Sequence, residues 1–296
     1  MKRDNQVGAG LTAMALLRAI ASSRPESERL FHDPVSRLLL PSPWRILLLP
    51  GLRHAFVAVV ERLGPGALGN LLCRTRYIDD VLNDALKKGL DQVVILGAGF
   101  DCRPYRIPGI NQTRVFEVDR PIPLRLKQDR LRKAFGRLPP HITFVPIDFD
   151  RQSLDEAMDA AGFRAGARTF FIWEGVTQYI TAEAVDAVLH YVARSAQAGN
   201  EIVFTYIHRG IIDGSARTEA DERIVSRARQ SGMPWIFGFD PAELSEYLAV
   251  RGLTPIEEVG APDYRRRYLD PINRRMKIFE GEKVVLAQIA RKDERT

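Results

Sequence analysis

Val93-Val94-Ile95-Leu96 is apolar at four consecutive positions, with no polar alternation. Such a run reads as a strand covered on both faces, the usual state in a parallel sheet. From residue 89 onward, short apolar runs alternate with helical patterns, the signature of a parallel α/β sheet. The pattern predicts strands near 92–97, 114–119, 142–147, 169–174, 202–207, 255–259 and 283–290. Helix starts are marked between them. Ser153 with Glu156 forms a capping box ahead of 154–162. Asp240-Pro241 with Glu243 opens 241–251, and Gly252 stops it. Thr181 opens a helix whose Val185, Val188, Leu189 and Val192 share one stripe.

No helix separates the last two strands. The intervening "MKIFEGE" (276–282) is too short for a crossover, so the final strand is expected to run antiparallel. Seven strands closed by an antiparallel one point to an α/β, Rossmann-like sheet of the methyltransferase variant rather than the dinucleotide-binding one. Pro146 then falls in an edge strand, where a missing N–H is tolerable. Residues 1–88 read as an N-terminal helical cap, with turns at Pro41-Ser42-Pro43, Pro50-Gly51 and Gly64-Pro65-Gly66. Its last helix is expected over about 76–88, with Ile78, Val81, Leu82, Ala85 and Leu86 on one face and Gly89 as the stop. Residues 89–296 form the main domain. An insertion at about 208–239 has a polar centre, "RTEADERIVSRARQ", as expected of a lid helix facing solvent.

The strand at 92–97 ends in Gly97-Ala98-Gly99. A glycine turn at the carboxyl end of a parallel strand brings backbone N–H groups close to a ligand, where open α/β sheets bind one. A dinucleotide site wants G-x-G-x-x-G, and Cys102 stands at the third position. S-adenosylmethionine has no pyrophosphate. Its site needs the turn, together with carboxylates for a ribose diol, an adenine amine and an ammonium. Acids follow three successive strands: Asp119, Asp148 and Glu174. Asp119 is expected at the ribose. Glu117 is its rival, and strand alternation is expected to admit only one of them to the cleft. Asp148 is expected at the adenine amine, with Phe149 against the ring; a turn or cap residue is the plain alternative. Glu174 is expected at the methionine ammonium, against a plain role beside a helix start.

Length and charge bound the rest. The chain has 296 residues, 45% of them hydrophobic, and a net charge of +6. Arg265, Arg266, Arg267, Arg274 and Arg275 read as a solvated face rather than a nucleic-acid or anionic-membrane patch. No zinc spacing or repeat is present, and no apolar run is long enough for a membrane span. Cys73 and Cys102 make no disulfide framework or metal site, so a reduced, cytoplasmic protein is expected. Cys102 reads as a small packed residue.

"RTRYIDDVL" (74–82), "QVVILGAGFDCRPYRI" (92–107), "VFEVDRP" (115–121), "IWEGVTQYIT" (172–181) and "FGFDPAELSEYLAVRGL" (237–253) together resemble the leucine carboxyl methyltransferase-like family. The likeness is to its bacterial, S-adenosylmethionine-dependent branch, and "RPESERLFHDPVSRLL" extends it over nearly the whole chain. The resemblance implies that Arg74 contacts the cofactor carboxylate, with Arg76 as the near alternative. It also implies cofactor contacts from Gly97, Gly99, Asp119, the pair Asp148-Phe149, and Glu174.

The expected reaction is methyl transfer to a carboxylate or hydroxyl oxygen of a small molecule. The cap and Trp235-Ile236-Phe237 suggest that the acceptor is lipophilic. No catalytic residue is assigned. A hydroxyl acceptor would want a base, for which His208 is best placed in sequence, and Tyr179 could orient an acceptor. The alternatives are a protein-carboxyl methyltransferase, an NAD-dependent dehydrogenase, and a non-catalytic binding module with this fold.

Overall fold

The computed structural model describes residues 2–149 and 151–290, with side chains from Val7 onward. Helices α1 (Lys2–Ser22), α2 (Ser42–Arg45), α3 (Pro50–Leu63) and α4 (Ala67–Lys87) precede the first strand, β1 (Gln92–Leu96). Then follow α5 (Arg103–Arg106), β2 (Arg114–Asp119), α6 (Pro121–Phe135), β3 (Ile142–Pro146), α7 (Leu154–Ala160), β4 (Thr169–Trp173), α8 (Ala182–Ser195) and β5 (Glu201–Ile207). After them come α9 (Arg209–Asp213), α10 (Glu219–Gln230), α11 (Pro241–Ala249), β6 (Leu253–Val259), α12 (Ala261–Tyr264) and β7 (Glu282–Ile289).

The strands form one sheet in the order β3-β2-β1-β4-β5-β7-β6. Pairs β1–β2, β1–β4, β2–β3 and β4–β5 are parallel, and β7 is antiparallel to both β5 and β6. The antiparallel closure and Pro146 at the end of the edge strand β3 both match expectation. The predicted caps form as well: Ser153, Thr181 and Asp240 each accept an N–H from the first turn that follows.

Two apolar layers sandwich the sheet. One holds Val94, Leu96, Phe116, Phe171 and Trp173 against Val185, Val188 and Leu189 of α8. The other holds Val93, Ile95, Val115 and Ile172 against Leu17 of α1 and Leu71, Ile78 and Leu82 of α4. Helix α4 begins nine residues before the apolar stripe predicts, because Asn70, Arg74 and Thr75 interrupt that stripe and yet are part of the helix. The arginine-rich segment is a neutralised surface: Arg265 pairs with Glu280, Arg266 with Asp263 and Arg267 with Glu257. Among the described residues, no single helix is long and apolar enough to cross a membrane.

Glu117 and Asp119 lie two residues apart on β2, so alternation places them on the same face of the sheet. The expectation that alternation would choose between them therefore fails, and depth chooses instead. Glu117 is fully buried and pairs with Lys127 of α6 at 2.8 Å, whereas Asp119 stands at the strand end. Burial pushes the Glu117 carboxyl up to about 7, against the opposing pull of Lys127. A carboxyl raised on folding binds more protons in the native state, so stability falls as pH rises from its ordinary 4.5 toward 7. Glu117→Gln should remove that slope, worth on the order of 3 kcal/mol, in denaturant melts taken at pH 5 and pH 8.

Candidate functional site

The glycine turn adopts backbone conformations that side chains resist: Gly97 has φ +66° and Gly99 φ +41°. A Cβ on Gly97 would stand 2.2 Å from the Val176 side chain, and one on Gly99 2.8 Å from Leu11 of α1. Helix α1 therefore lies over the turn, and Arg18 fixes it there by donating to the Phe100 carbonyl at 2.6 Å. Gly97→Ala is expected to cost about 1–3 kcal/mol through strain alone, measured by chemical denaturation.

Asp119 caps the turn from β2. Its Oδ2 accepts the Gly99 N–H at 2.6 Å and its Oδ1 accepts the Arg120 N–H at 2.6 Å. Burial raises its pKa while these two N–H groups oppose the rise. The carboxylate is thus locked in orientation, with lone pairs left over on both oxygens.

Beside the turn lies a buried ionic network. Arg103, 2% exposed, donates to Asp79 at 2.8 Å, to Asp101 at 2.5 Å and to Glu174 at 2.7 Å. Arg74 donates Nε to Glu174 at 2.8 Å and Nη1 to both oxygens of Glu282 at 2.6 and 2.7 Å. Arg106 pairs with Asp79 at 2.7 Å and joins Asp33. Burial alone would raise Glu174, but Arg103 and Arg74 hold it well below the usual carboxylate range. The third nitrogen of Arg74, Nη2, lies toward Gly175, where an added Cβ would stand 3.4 Å from it.

The structure thus brings Gly97, Gly99, Asp119, Arg74 and Glu174 to the carboxyl ends of β1, β2 and β4. Arg76 goes elsewhere, to Asp80 and the Leu30 carbonyl. Asp148 heads a turn whose Arg151 and Gln152 N–H groups donate to its carbonyl, while its own N–H donates to Gln152 Oε1. Phe149 packs partly buried against the apolar layer that holds Phe116. His208 caps α9, its Nδ1 accepting the Gly210 N–H at 2.9 Å. With Nδ1 an acceptor, the neutral ring carries its proton on Nε2, so in this arrangement it offers no second basic nitrogen. Cys102 is buried beside Ser36, and burial pushes its thiol up to about 12, which makes it the packed residue expected.

Sequence reasoning missed Glu282, Asp79 and the hub role of Arg103. Glu282 is the first residue of β7, whose antiparallel direction places that end beside Ile207 at the end of β5. The only available signal was the predicted antiparallel return itself. Gln178, Trp235 and Tyr264 were also missed: Gln178 Oε1 and Trp235 Nε1 are buried atoms, and the Tyr264 hydroxyl is buried with no hydrogen-bond partner among the described residues. The first two lie beside the Tyr179 hydroxyl, whose pKa burial raises.

Comparison with known proteins fits this geometry. A protein of Bacillus subtilis named "Putative S-adenosyl-L-methionine-dependent methyltransferase YktD" is 32% identical over 211 residues, 71% of this chain and 69% of that one. A Streptomyces coelicolor protein with the same functional description is 30% identical, covering 78% of this chain and 82% of its own. Among solved structures, one described as a "putative methyltransferase" from Thermobifida fusca superposes with a TM-score of 0.56 at 12% identity, covering 94% of each chain, a likeness of fold. Residues 11–193, more than half the chain, match the sequence profile described as leucine carboxyl methyltransferase. The chain belongs to the leucine carboxyl methyltransferase family.

Proposed function

We infer that the protein is an S-adenosylmethionine-dependent methyltransferase, and propose that it methylates an oxygen, carboxylate before hydroxyl, of a small molecule with an apolar body. The residues of the cleft suit that cofactor. Asp119 offers fixed lone pairs to a ribose diol, Arg74 Nη2 points toward Gly175 and could meet a carboxylate, and the two glycines leave room for close backbone approach. Asp148 and Phe149, at the end of the third strand, would serve the adenine. When bound, the cofactor supplies an electrophilic methyl on a sulfonium. The chain's own task is to position the acceptor oxygen and exclude water, which favours reaction between opposite charges.

The ionic network carries the preference for a carboxylate acceptor. Both oxygens of Glu174 and both of Glu282 are engaged by arginine, and His208 Nδ1 accepts a backbone N–H. Each of these atoms already accepts a hydrogen bond in this arrangement. A carboxylate arrives ionised near neutral pH and needs no base. A buried polar group without a partner costs about 1–3 kcal/mol, so the Tyr264 hydroxyl offers a place for a polar group of the acceptor. The Trp235 and Phe279 rings, 6.0 Å apart, offer an apolar wall.

The roofing of the cleft favours a small acceptor over a protein chain. Leu11 covers Gly99, and the neighbouring Gly10 packs on the Met233 methyl of the 208–239 insertion, where an added Cβ would lie 3.3 Å away. In this reading residues 1–88 act as a cap and the insertion as a lid, in a cytoplasmic enzyme whose two thiols stay reduced. The test is transfer of labelled methyl from S-adenosylmethionine to paired acceptors, an aryl or alkyl carboxylic acid against the matching phenol or alcohol. Base-labile ester product from the acids, with no rise in rate from pH 7 to 9, supports it. Transfer only to phenols, rising with pH, would overturn the carboxylate preference. Binding of NADH in place of the adenosyl ligands would overturn the methyltransferase reading.

A further inference from the structure

Of the twelve large apolar side chains that stand exposed among the described residues, five lie between residues 46 and 63: Ile46, Leu49, Leu52, Val59 and Leu63. Helix α3 is apolar on both sides. Phe56, Val57 and Val60 turn inward onto the layers shared with α1 and α4. Leu52, Ala55, Val59 and Leu63 recur at helical spacing on the outward side, with Leu52 43% and Val59 53% exposed. No residue of α3 is fully buried. The helix also carries Arg53, His54, Glu61 and Arg62, yet the outward stripe is apolar surface of the kind that marks an interaction site.

The charge around the stripe identifies what would cover it. Arg37, Arg45, Arg53 and Arg62 stand on or beside this segment, and none pairs with a carboxylate among the described residues. Arg45 donates to the Leu38 and Leu40 carbonyls and Arg53 to the Ser23 hydroxyl. From 37 to 66 the only acid is Glu61, which accepts the Gly66 N–H instead. By helical period Arg62 borders the stripe, whereas Arg53 falls on the side of Phe56, Val57 and Val60. A symmetric contact with a second copy would set four arginines against the same four. An anionic bilayer meets both features together, taking the apolar side chains among the acyl chains and the guanidinium groups at the headgroups.

We propose that the outward face of α3, with Ile46 and Leu49, docks the protein onto anionic lipid membrane as an interfacial helix that lies on the surface without spanning it. The proposal stands independently of which molecule is methylated. It is tested by sedimenting the full-length protein with vesicles of phosphatidylcholine alone, or with about one third phosphatidylglycerol. Binding is expected on the anionic vesicles, weakening as salt rises. It should fall by at least about tenfold in Leu52→Asp/Val59→Asp and by roughly fivefold in Arg62→Gln, with thermal stability and S-adenosylmethionine affinity unchanged in both. Absence of binding to anionic vesicles would overturn the proposal, as would equal binding by the folded double variant. A concentration-dependent dimer that the double variant dissociates would overturn it in favour of a contact between copies.

Discussion

Asp119→Ala is expected to weaken S-adenosylmethionine binding by at least a hundredfold while leaving the protein folded. The Asp119 carboxylate is held by two backbone N–H groups, from Gly99 and Arg120, each at 2.6 Å. That leaves one lone-pair direction on each oxygen to accept from the two hydroxyls of a ribose. Hydrogen bonds to a charged group are worth about 1.5–3 kcal/mol each, so losing a pair removes about 3–6 kcal/mol of binding energy. The variant also releases the Gly99 N–H, loosening the turn that the cofactor has to meet. Calorimetric titration with S-adenosylmethionine and S-adenosylhomocysteine measures the effect, and a melting curve separates it from unfolding. Asp119→Asn keeps one acceptor oxygen and should fall between the two. Unchanged affinity in a folded Asp119→Ala would remove Asp119 from the ribose and reopen the assignment of the whole cleft.

What the sequence made legible, and what it did not, follows from how local each signal is. Strands such as β1 and β4 are apolar at nearly every position because both faces are covered, so their positions were readable to within a residue or two. The glycine turn and the acids after the strands were readable because the sheet delivers successive strand ends to one place. The ionic network was not. Arg103 meets Asp79 across 24 positions and Glu174 across 71, and Arg74 meets Glu282 across 208. No local pattern encodes such pairings. The same pairings explain the misplaced start of α4, since Arg74 is half-buried for reasons of charge and a hydrophobic period counts it as exposed. Glu117 is a related case, because its identity says surface while Lys127 makes an interior position tolerable. Gln178, Trp235 and Tyr264 come from three separate segments, and their buried polar atoms leave no local signal in the sequence.

Arg103→Met should cost about 3–5 kcal/mol of stability near neutral pH, the range for removing one partner of a buried ion pair, and the loss should shrink on acidification. Arg103 holds three carboxylates, and its own side chain is 2% exposed. In the unaltered protein Glu174 is held well below its ordinary range, so its contribution to stability is complete above the unfolded pKa and disappears as pH falls through the folded one. Asp101 behaves alike: burial pulls it up, but Arg103, its backbone N–H and Lys127 together bring it below its ordinary value. Without the guanidinium, burial becomes the dominant influence on Asp101, and Glu174 keeps Arg74 and the charge of Arg18. Asp101 left this way binds protons more tightly folded than unfolded, so its share of the slope reverses and the variant's deficit narrows as pH falls toward 5. Arg103→Lys restores one charge but not the three-way fork, and should recover part of the loss. Denaturant titrations of the three proteins at pH 5 and pH 8 decide the matter. A deficit for Arg103→Met that is equal at both pH values would mean that Arg103 acts by packing alone and that Glu174 is set by Arg74, making Arg74 the residue on which the cleft's charge depends.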